Sequence, residues 1–144
     1  MFKYEKSVLI NCPQQEVFDF VTDLSNDPKW QASIESVRQI SDGHTGVGST
    51  FRYESKLLGR KSETEIQLTS YDPPNGASVK ALNGPIPFEN TYRFETQDGG
   101  TLVTFMGWAE IGGFFKIAEG LAAKQIEKQL ETDAAELKKL LEAG

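Results

Sequence analysis

The C-terminal part of the sequence carries its longest periodic pattern. From Phe114 almost to Gly144, apolar residues recur at spacings of three and four, which places them on one face of an α-helix. They are Ala118, Ala122, Ile126, Leu130, Ala134, Leu137 and Leu141. A helix of about 28 residues is roughly 40 Å long. Because no other segment is so long, the rest of the chain must fold around this helix.

The N-terminal part predicts a strand followed by two short helices. Apolar residues alternate loosely over residues 2–10, and Pro13 suits the first turn of a helix that continues through Val21. The turn sequence that ends at Pro28 predicts a second, brief helix through Trp30.

The middle of the sequence has the period of two that is typical of β-strands. Five or six strands are predicted from Ile34 onward, with turn sequences such as Asp42-Gly43 and Asp98-Gly99-Gly100 between them. Residues 102–110 carry apolar side chains on both faces, so the pattern leaves their inward face open. Short connections predict an antiparallel meander. Together with the first strand, this gives an α+β fold in which a curved antiparallel sheet of six to seven strands packs against the long helix.

Composition and charge exclude several classes of function. A formal net charge of -6 without clustered basic residues argues against a nucleic-acid partner. One histidine and one cysteine provide no metal-ligand spacing, so neither a metal nor another cofactor is predicted. The chain has no apolar run long enough for stable membrane insertion and no apolar signal sequence after Met1, which leads us to expect a cytoplasmic protein.

The order of these pieces resembles the START-like (SRPBCC) superfamily, in particular its polyketide cyclase/dehydrase and lipid-transport group with the helix-grip fold. The resemblance covers essentially the whole chain, 1–144, as one ligand-binding domain. The matching pieces are Cys12-Pro13-Gln14-Gln15-Glu16-Val17-Phe18, Asn26-Asp27-Pro28-Lys29-Trp30, Gly46-Val47-Gly48-Ser49-Thr50-Phe51-Arg52, Tyr71-Asp72-Pro73-Pro74, Gly99-Gly100-Thr101-Leu102-Val103-Thr104-Phe105 and Leu137-Lys138-Lys139-Leu140-Leu141-Glu142. The family implies a deep, largely apolar cavity under the C-terminal helix but no single reaction.

The residue pattern itself suggests where such a cavity lies. The first half of the long helix is rich in alanine and glycine, so we expect the cavity beneath it, while the leucine-rich second half anchors the fold. The alternative is close packing of helix and sheet without a void. The candidate ligand-binding residues are Trp30, Phe51, Tyr53, Ser55, Phe88, Asn90, Tyr92, Trp108, Phe114, Ala118, Leu121 and Ala122.

Few residues suggest catalysis. Tyr53 and Tyr92 share the predicted inner faces of their strands, where they are equally well explained as core aromatics. Glu110 ends an apolar strand near the expected cavity mouth and fits a charge at the rim better than an acid-base group, because burying an unpaired carboxylate is costly. His44 lies in a glycine-flanked turn, and Cys12 has no basic neighbour that would activate it.

Three functions follow as hypotheses. The first is binding or transport of a hydrophobic small molecule, such as a lipid, an isoprenoid or an aromatic polyketide-like compound, by a monomer or homodimer. The second is a polyketide cyclase, aromatase or dehydratase that uses the cavity Tyr and Glu side chains. The third is a protein-interaction module, which the charged outer positions Arg52, Glu54, Lys56 and Glu63 disfavour.

Overall fold

The computed structural model describes residues 1–57, 59–111 and 119–143. A short 3₁₀ turn, Leu24–Asn26, joins the first two helices. In chain order the elements are β1 (Phe2–Ile10), α1 (Gln14–Thr22), α2 (Asp27–Trp30), β2 (Ile34–Gln39), β3 (Thr50–Leu57), β4 (Arg60–Asp72), β5 (Gly76–Ala81), β6 (Phe88–Gln97), β7 (Gly100–Ala109) and α3 (Glu119–Ala143).

The strands form a seven-stranded antiparallel sheet in the order β1-β7-β6-β5-β4-β3-β2. Consecutive strands from β2 to β7 are neighbours, and β1 closes the order by pairing with β7. This confirms the predicted meander, the two short helices after the first strand and the α+β class. The beginning of the predicted C-terminal helix, residues 114–118, lies outside the described residues.

One hairpin shows how local sequence sets the register. Asp98 and Gly99, between β6 and β7, have φ angles of 49° and 78°. Two residues with positive φ form the turn whose twist matches that of the flanking strands, and Gln97 accordingly pairs with Gly100. From this point the alternation along β7 turns Val103 and Phe105 toward the core. The sequence pattern alone did not show which face of this strand points inward.

The second half of α3 anchors the fold. Ala134, Leu137 and Leu141 are buried in one cluster with residues of β1, α1, β6 and β7. Polar contacts add to this packing at the end of the helix. Lys138 donates from Nζ to the carbonyl oxygen of Leu9 at 2.8 Å, and the Glu142 carboxylate accepts from the backbone N–H of Asn11 at 2.8 Å. The C-terminal turns of α3 are therefore fixed to the end of β1.

Candidate functional site

Two adjoining chambers lie between the concave face of the sheet and α3. The first, which we call the polar chamber, has a volume of about 180 Å³. The second, the apolar chamber, has a volume of about 200 Å³. They share a wall made of Tyr4, Ile34, Ser55, Thr64, Phe88 and Leu130. The two chambers therefore adjoin along one set of side chains.

The two chambers differ in chemistry. The polar chamber is lined by two carboxyl groups, those of Asp27 and Asp133, together with tyrosine hydroxyls and the Asn90 amide. The rest of the apolar chamber is lined mainly by hydrocarbon side chains, which include Phe2, Pro85, Ile86, Ala109, Ile111 and Ile126. Among the described lining residues of both chambers, none is a lysine, arginine or histidine. The site therefore has a polar, acidic end and an apolar end.

Six of the twelve predicted ligand-binding residues line the cavity, five of them through the alternation of β3 and β6. Tyr53 and Ser55 project inward from β3, and Phe88, Asn90 and Tyr92 project inward from β6. Trp30, the last residue of α2, closes one side of the polar chamber. Whether these six side chains bind a ligand stays a prediction.

The structure places the other predicted site residues elsewhere. Phe51 is buried in the core beside Leu68 and does not line either chamber. Trp108 lies on the outer face of β7, between Lys3 and Glu89, because its neighbour Ala109 takes the inward position. Phe114 and Ala118 lie outside the described residues.

The position of the cavity along α3 also differs from the expectation. Its described lining residues on this helix are Ile126, Leu130 and Asp133, in the middle of the helix. Ala122 is instead completely buried against Phe2 and Ile111, and the side chain of Leu121 is 51% exposed. The small side chain of Ala122 permits close contact between helix and sheet at this position.

Asp27 is the most unusual side chain of the site. It begins α2 and is only 1% exposed, and its Oδ2 accepts a hydrogen bond from the Tyr53 hydroxyl at 2.5 Å. Burial raises its pKa to about 8, because a carboxylate loses its hydration in the interior. The hydrogen bond from Tyr53 opposes this increase, and the nearby Asp23 carboxylate adds to it. Asp27 is therefore protonated at neutral pH and ionises at about pH 8.

Two buried polar atoms of the same helical turn have no hydrogen-bond partner among the described residues. They are Oδ1 of Asp27 and Nε1 of Trp30. The indole N–H lies near enough to favour the ionised form of Asp27 electrostatically, although the two groups do not meet at hydrogen-bonding geometry. The Trp30 ring is held against Phe105, with ring centroids 5.6 Å apart. Since residues three apart share a helix face, both atoms belong to the side of α2 that lines the polar chamber.

A second polar contact crosses the sheet at Gly107. The Tyr4 hydroxyl on β1 donates to Oδ1 of Asn90 on β6 at 2.8 Å, across β7. Gly107 pairs with both residues, and a Cβ atom there would lie 2.7 Å from the Tyr4 hydroxyl. The absence of a side chain at this position therefore lets the two residues meet.

The tyrosines of the polar chamber are hydrogen-bond donors rather than bases. Burial raises the pKa of Tyr53 and of Tyr92 well above the ordinary value, and it also raises the pKa of Tyr4. All three phenols therefore keep their protons at neutral pH.

Asp133 is the second acid of the chamber. Its Oδ1 accepts from the backbone N–H of Ala32 at 3.2 Å and from the Gln129 amide at 2.8 Å, while burial raises its pKa. The sequence could have indicated that Asp133 faces the sheet. It lies three residues after Leu130 and four before Leu137, within the apolar stripe of the helix. Asp27 gives no such signal, since an acid at the start of a short helix resembles an ordinary capping residue.

The remaining catalytic candidate, Glu110, lies outside both chambers. Its side chain is half exposed and forms an ion pair with the N-terminal ammonium group at 3.4 Å. His44 is exposed between β2 and β3, and the Cys12 thiol donates to the carbonyl oxygen of Leu141 at 3.1 Å.

In the described ranges, no group of three or more His, Cys, Asp or Glu residues could hold a metal ion. No helix of the described part of the chain has the length and apolarity needed to cross a membrane.

Comparison with solved structures shows the same fold over the whole chain. A START superfamily protein from Mycobacterium smegmatis superposes with a TM-score of 0.84 at 15% identity and covers 99% of both chains. A protein from Thermus thermophilus has a TM-score of 0.81 at 19% identity, with 98% of this chain and 97% of that chain covered. The di-domain ARO/CYC protein BexL matches with a TM-score of 0.74 at 17% identity, over 99% of this chain and 50% of its own.

Sequence comparison adds the family. No curated protein sequence is significantly similar to the chain. The model of the family described as polyketide cyclase/dehydrase and lipid transport matches residues 1–142. With nearly every residue included in that match, the chain belongs to the polyketide cyclase/dehydrase and lipid transport family.

Proposed function

We propose that this protein binds a hydrophobic small molecule in the two chambers between sheet and helix, the whole chain acting as one ligand-binding domain. The observation that carries the proposal is the pair of adjoining chambers, one apolar and the other with a few converging polar groups. Such a lining is typical of small-molecule sites. The family, whose description includes both cyclases and lipid transport, supports the same conclusion.

The volumes narrow the class of ligand. A cavity of about 150 Å³ is enough for one benzene ring, so chambers of about 180 Å³ and 200 Å³ each fit roughly one ring. A compact two-ring aromatic compound or a short isoprenoid therefore fits better than a long acyl chain.

A larger side chain at a position that lines both chambers tests this function. Leu130 contacts both chambers, whereas Leu140 on the same helix is 37% exposed. We expect Leu130→Trp to weaken binding of the neutral two-ring dye 6-propionyl-2-(dimethylamino)naphthalene at least about tenfold, measured by fluorescence titration, and Leu140→Trp to leave it unchanged. Native mass spectrometry of gently purified protein provides a second readout. Equal dye affinity in the two variants, or no dye binding by the original protein, contradicts the proposal.

A second candidate function is proton transfer to a bound polyketide-like substrate, as in a cyclase, aromatase or dehydratase. The observation that favours it is the Asp27 carboxyl, which lies against Tyr53 and titrates near neutral pH, as a general acid-base group requires. A poly-β-keto thioester is the test substrate. For such an enzyme we expect Asp27→Asn to abolish turnover and Glu110→Gln to leave it intact. Intact turnover in Asp27→Asn excludes this role for Asp27.

A further inference from the structure

A third cavity lies beside the two chambers, between β1 and the middle of α3. We call it the side groove, and its volume is about 360 Å³. Tyr4 and Leu130 line the side groove and also line both chambers. The other lining residues are charged and mostly exposed, so the groove is open to solvent; they are Lys3, Glu5, Lys6, Glu127 and Glu131. One layer of side chains therefore separates the chambers from solvent at this place.

The contacts of α3 are weaker at the side groove than on either side of it. Toward β2, the buried Asp133 carboxyl accepts from the backbone N–H of Ala32 at 3.2 Å. At the end of β1, Lys138 donates to the carbonyl oxygen of Leu9 at 2.8 Å. At the side groove an ion pair joins Lys6 to Glu131 at 3.6 Å, and these side chains are 39% and 66% exposed. Such exposed ion pairs contribute little to stability and are screened by salt.

We infer that the side groove is the entrance through which a ligand reaches the chambers, with the Lys6–Glu131 ion pair closing it and Leu130 forming the inner barrier. This inference rests on the proposed binding function and adds the route to the same site. Through the sheet itself the described strands leave no passage, since each is hydrogen-bonded to the next from β1 to β2. The end of the molecule around Phe18, Phe94 and Leu137 is filled by buried core side chains.

The two side chains of the barrier are held differently. The Tyr4 hydroxyl donates to Oδ1 of Asn90 at 2.8 Å, which fixes this ring to the sheet. Leu130 has only hydrocarbon atoms in its side chain, so packing alone holds it. Rotation of Leu130, together with separation of Lys6 from Glu131, opens a path past Tyr4 into both chambers.

A bulky side chain in the side groove tests this route. Among the described lining residues, Glu127 belongs to the side groove alone, and its exposed neighbour Lys128 belongs to none of the three cavities. An obstacle on the route slows entry and exit equally, so we expect Glu127→Trp to slow association and dissociation of 6-propionyl-2-(dimethylamino)naphthalene at least about fivefold and to keep its Kd within about twofold. Stopped-flow fluorescence measures both rate constants. Lys128→Trp should keep the original values.

Removal of the ion pair should have the opposite effect. We expect Lys6→Met to increase both rate constants about two- to fivefold, with Kd again within about twofold. Arg93→Met, which breaks the exposed ion pair with Glu95 on β6, is the matched control and should leave both rate constants unchanged. Because the dye is neutral, added salt should speed its exchange in the original protein but not in Lys6→Met.

The outcomes separate the two proposals. Equal rate constants in Glu127→Trp and Lys128→Trp, with the dye still bound by the original protein, overturn the entrance and leave the binding function intact. A much larger Kd in Glu127→Trp also overturns it, because the groove would then belong to the bound site. No dye binding by the original protein overturns both proposals. If circular dichroism shows that Glu127→Trp does not fold, unchanged rate constants in Lys6→Met overturn the entrance.

Discussion

At the scale of single residues, the buried acid Asp27 decides the character of the site. Its carboxyl group lies beside Tyr53 and Trp30 and is almost completely buried, so it has lost its hydration. An isolated charge in such a place is costly, so the group keeps its proton to a higher pH than usual. The same property makes the stability of the fold depend on pH.

The first prediction concerns Asp27→Asn and pH. The ordinary pKa of this carboxyl is 3.8, and the native pKa is about 8. Between these values the native state binds more protons than the unfolded state, so the free energy of unfolding falls as pH rises. We expect the stability of the original protein, measured relative to Asp27→Asn by urea denaturation, to fall between about pH 5 and about pH 8, by at most about 1.4 kcal/mol per pH unit.

The difference in stability between the original protein and Asp27→Asn reports the titration of Asp27 alone, because all other titrating residues occur in both proteins. Above about pH 8 the difference in stability should become constant, since Asp27 is then ionised in both the native and the unfolded state. A difference that does not change between about pH 5 and about pH 8 would show that the native pKa of Asp27 is not raised.

The residues of the site could be predicted from the sequence only in part. The alternation in β3 and β6 correctly indicates that Tyr53, Asn90 and Tyr92 face the long helix. The importance of Asp27 could not be predicted, because its hydrogen-bond partner Tyr53 lies 26 positions away in the chain. Contacts between such distant positions leave no trace in local periodicity.

At the scale of elements, α3 combines anchoring and cavity-lining segments along one stripe. Leu137 and Leu141 join the main core, Leu130 lines both chambers, and Ala122 packs closely on Phe2. The apolar spacing of three and four correctly predicts the helix. It does not show which residues contact the sheet and which line a cavity, because that depends on the curvature of the strands opposite.

The second prediction compares two leucines of this helix. Leu137 is completely buried, whereas Leu140 is 37% exposed. We expect Leu137→Ala to lower the free energy of unfolding by about 2–5 kcal/mol, through lost burial and the cavity that remains, and Leu140→Ala to lower it by less than about 1 kcal/mol. Urea denaturation with a constant m-value measures both. Similar losses in the two variants would show that α3 is docked in another rotation about its axis.

At the scale of the whole molecule, a curved sheet and one straight helix enclose space that neither element encloses alone. Strand pairing and the cluster around Leu137 fix the two layers at one end. The middle of α3 then passes over the sheet without complete contact. The stability of the fold and the proposed ligand binding therefore depend on the same interface between sheet and helix.

The third prediction follows from this coupling. A ligand that binds only the native state stabilises it by about 2.7 kcal/mol at a free concentration of about one hundred times its Kd. We expect saturating 6-propionyl-2-(dimethylamino)naphthalene to raise the thermal midpoint of the original protein and of Leu140→Trp by several degrees. Leu130→Trp should show a much smaller increase. An equal increase in all three proteins would locate the dye outside the chambers.

Periodicity and turn residues, which act over a few positions, were enough to predict the order of elements, the antiparallel meander, the long helix and the inward faces of β3 and β6. The position of the cavity under Ile126, Leu130 and Asp133 became apparent only from the packing of the elements. The same is true of the two polar atoms, Asp27 Oδ1 and Trp30 Nε1, that lack a hydrogen-bond partner among the described residues. A periodic pattern specifies each element alone, whereas cavity position and the burial of an acid depend on how separate elements pack in space.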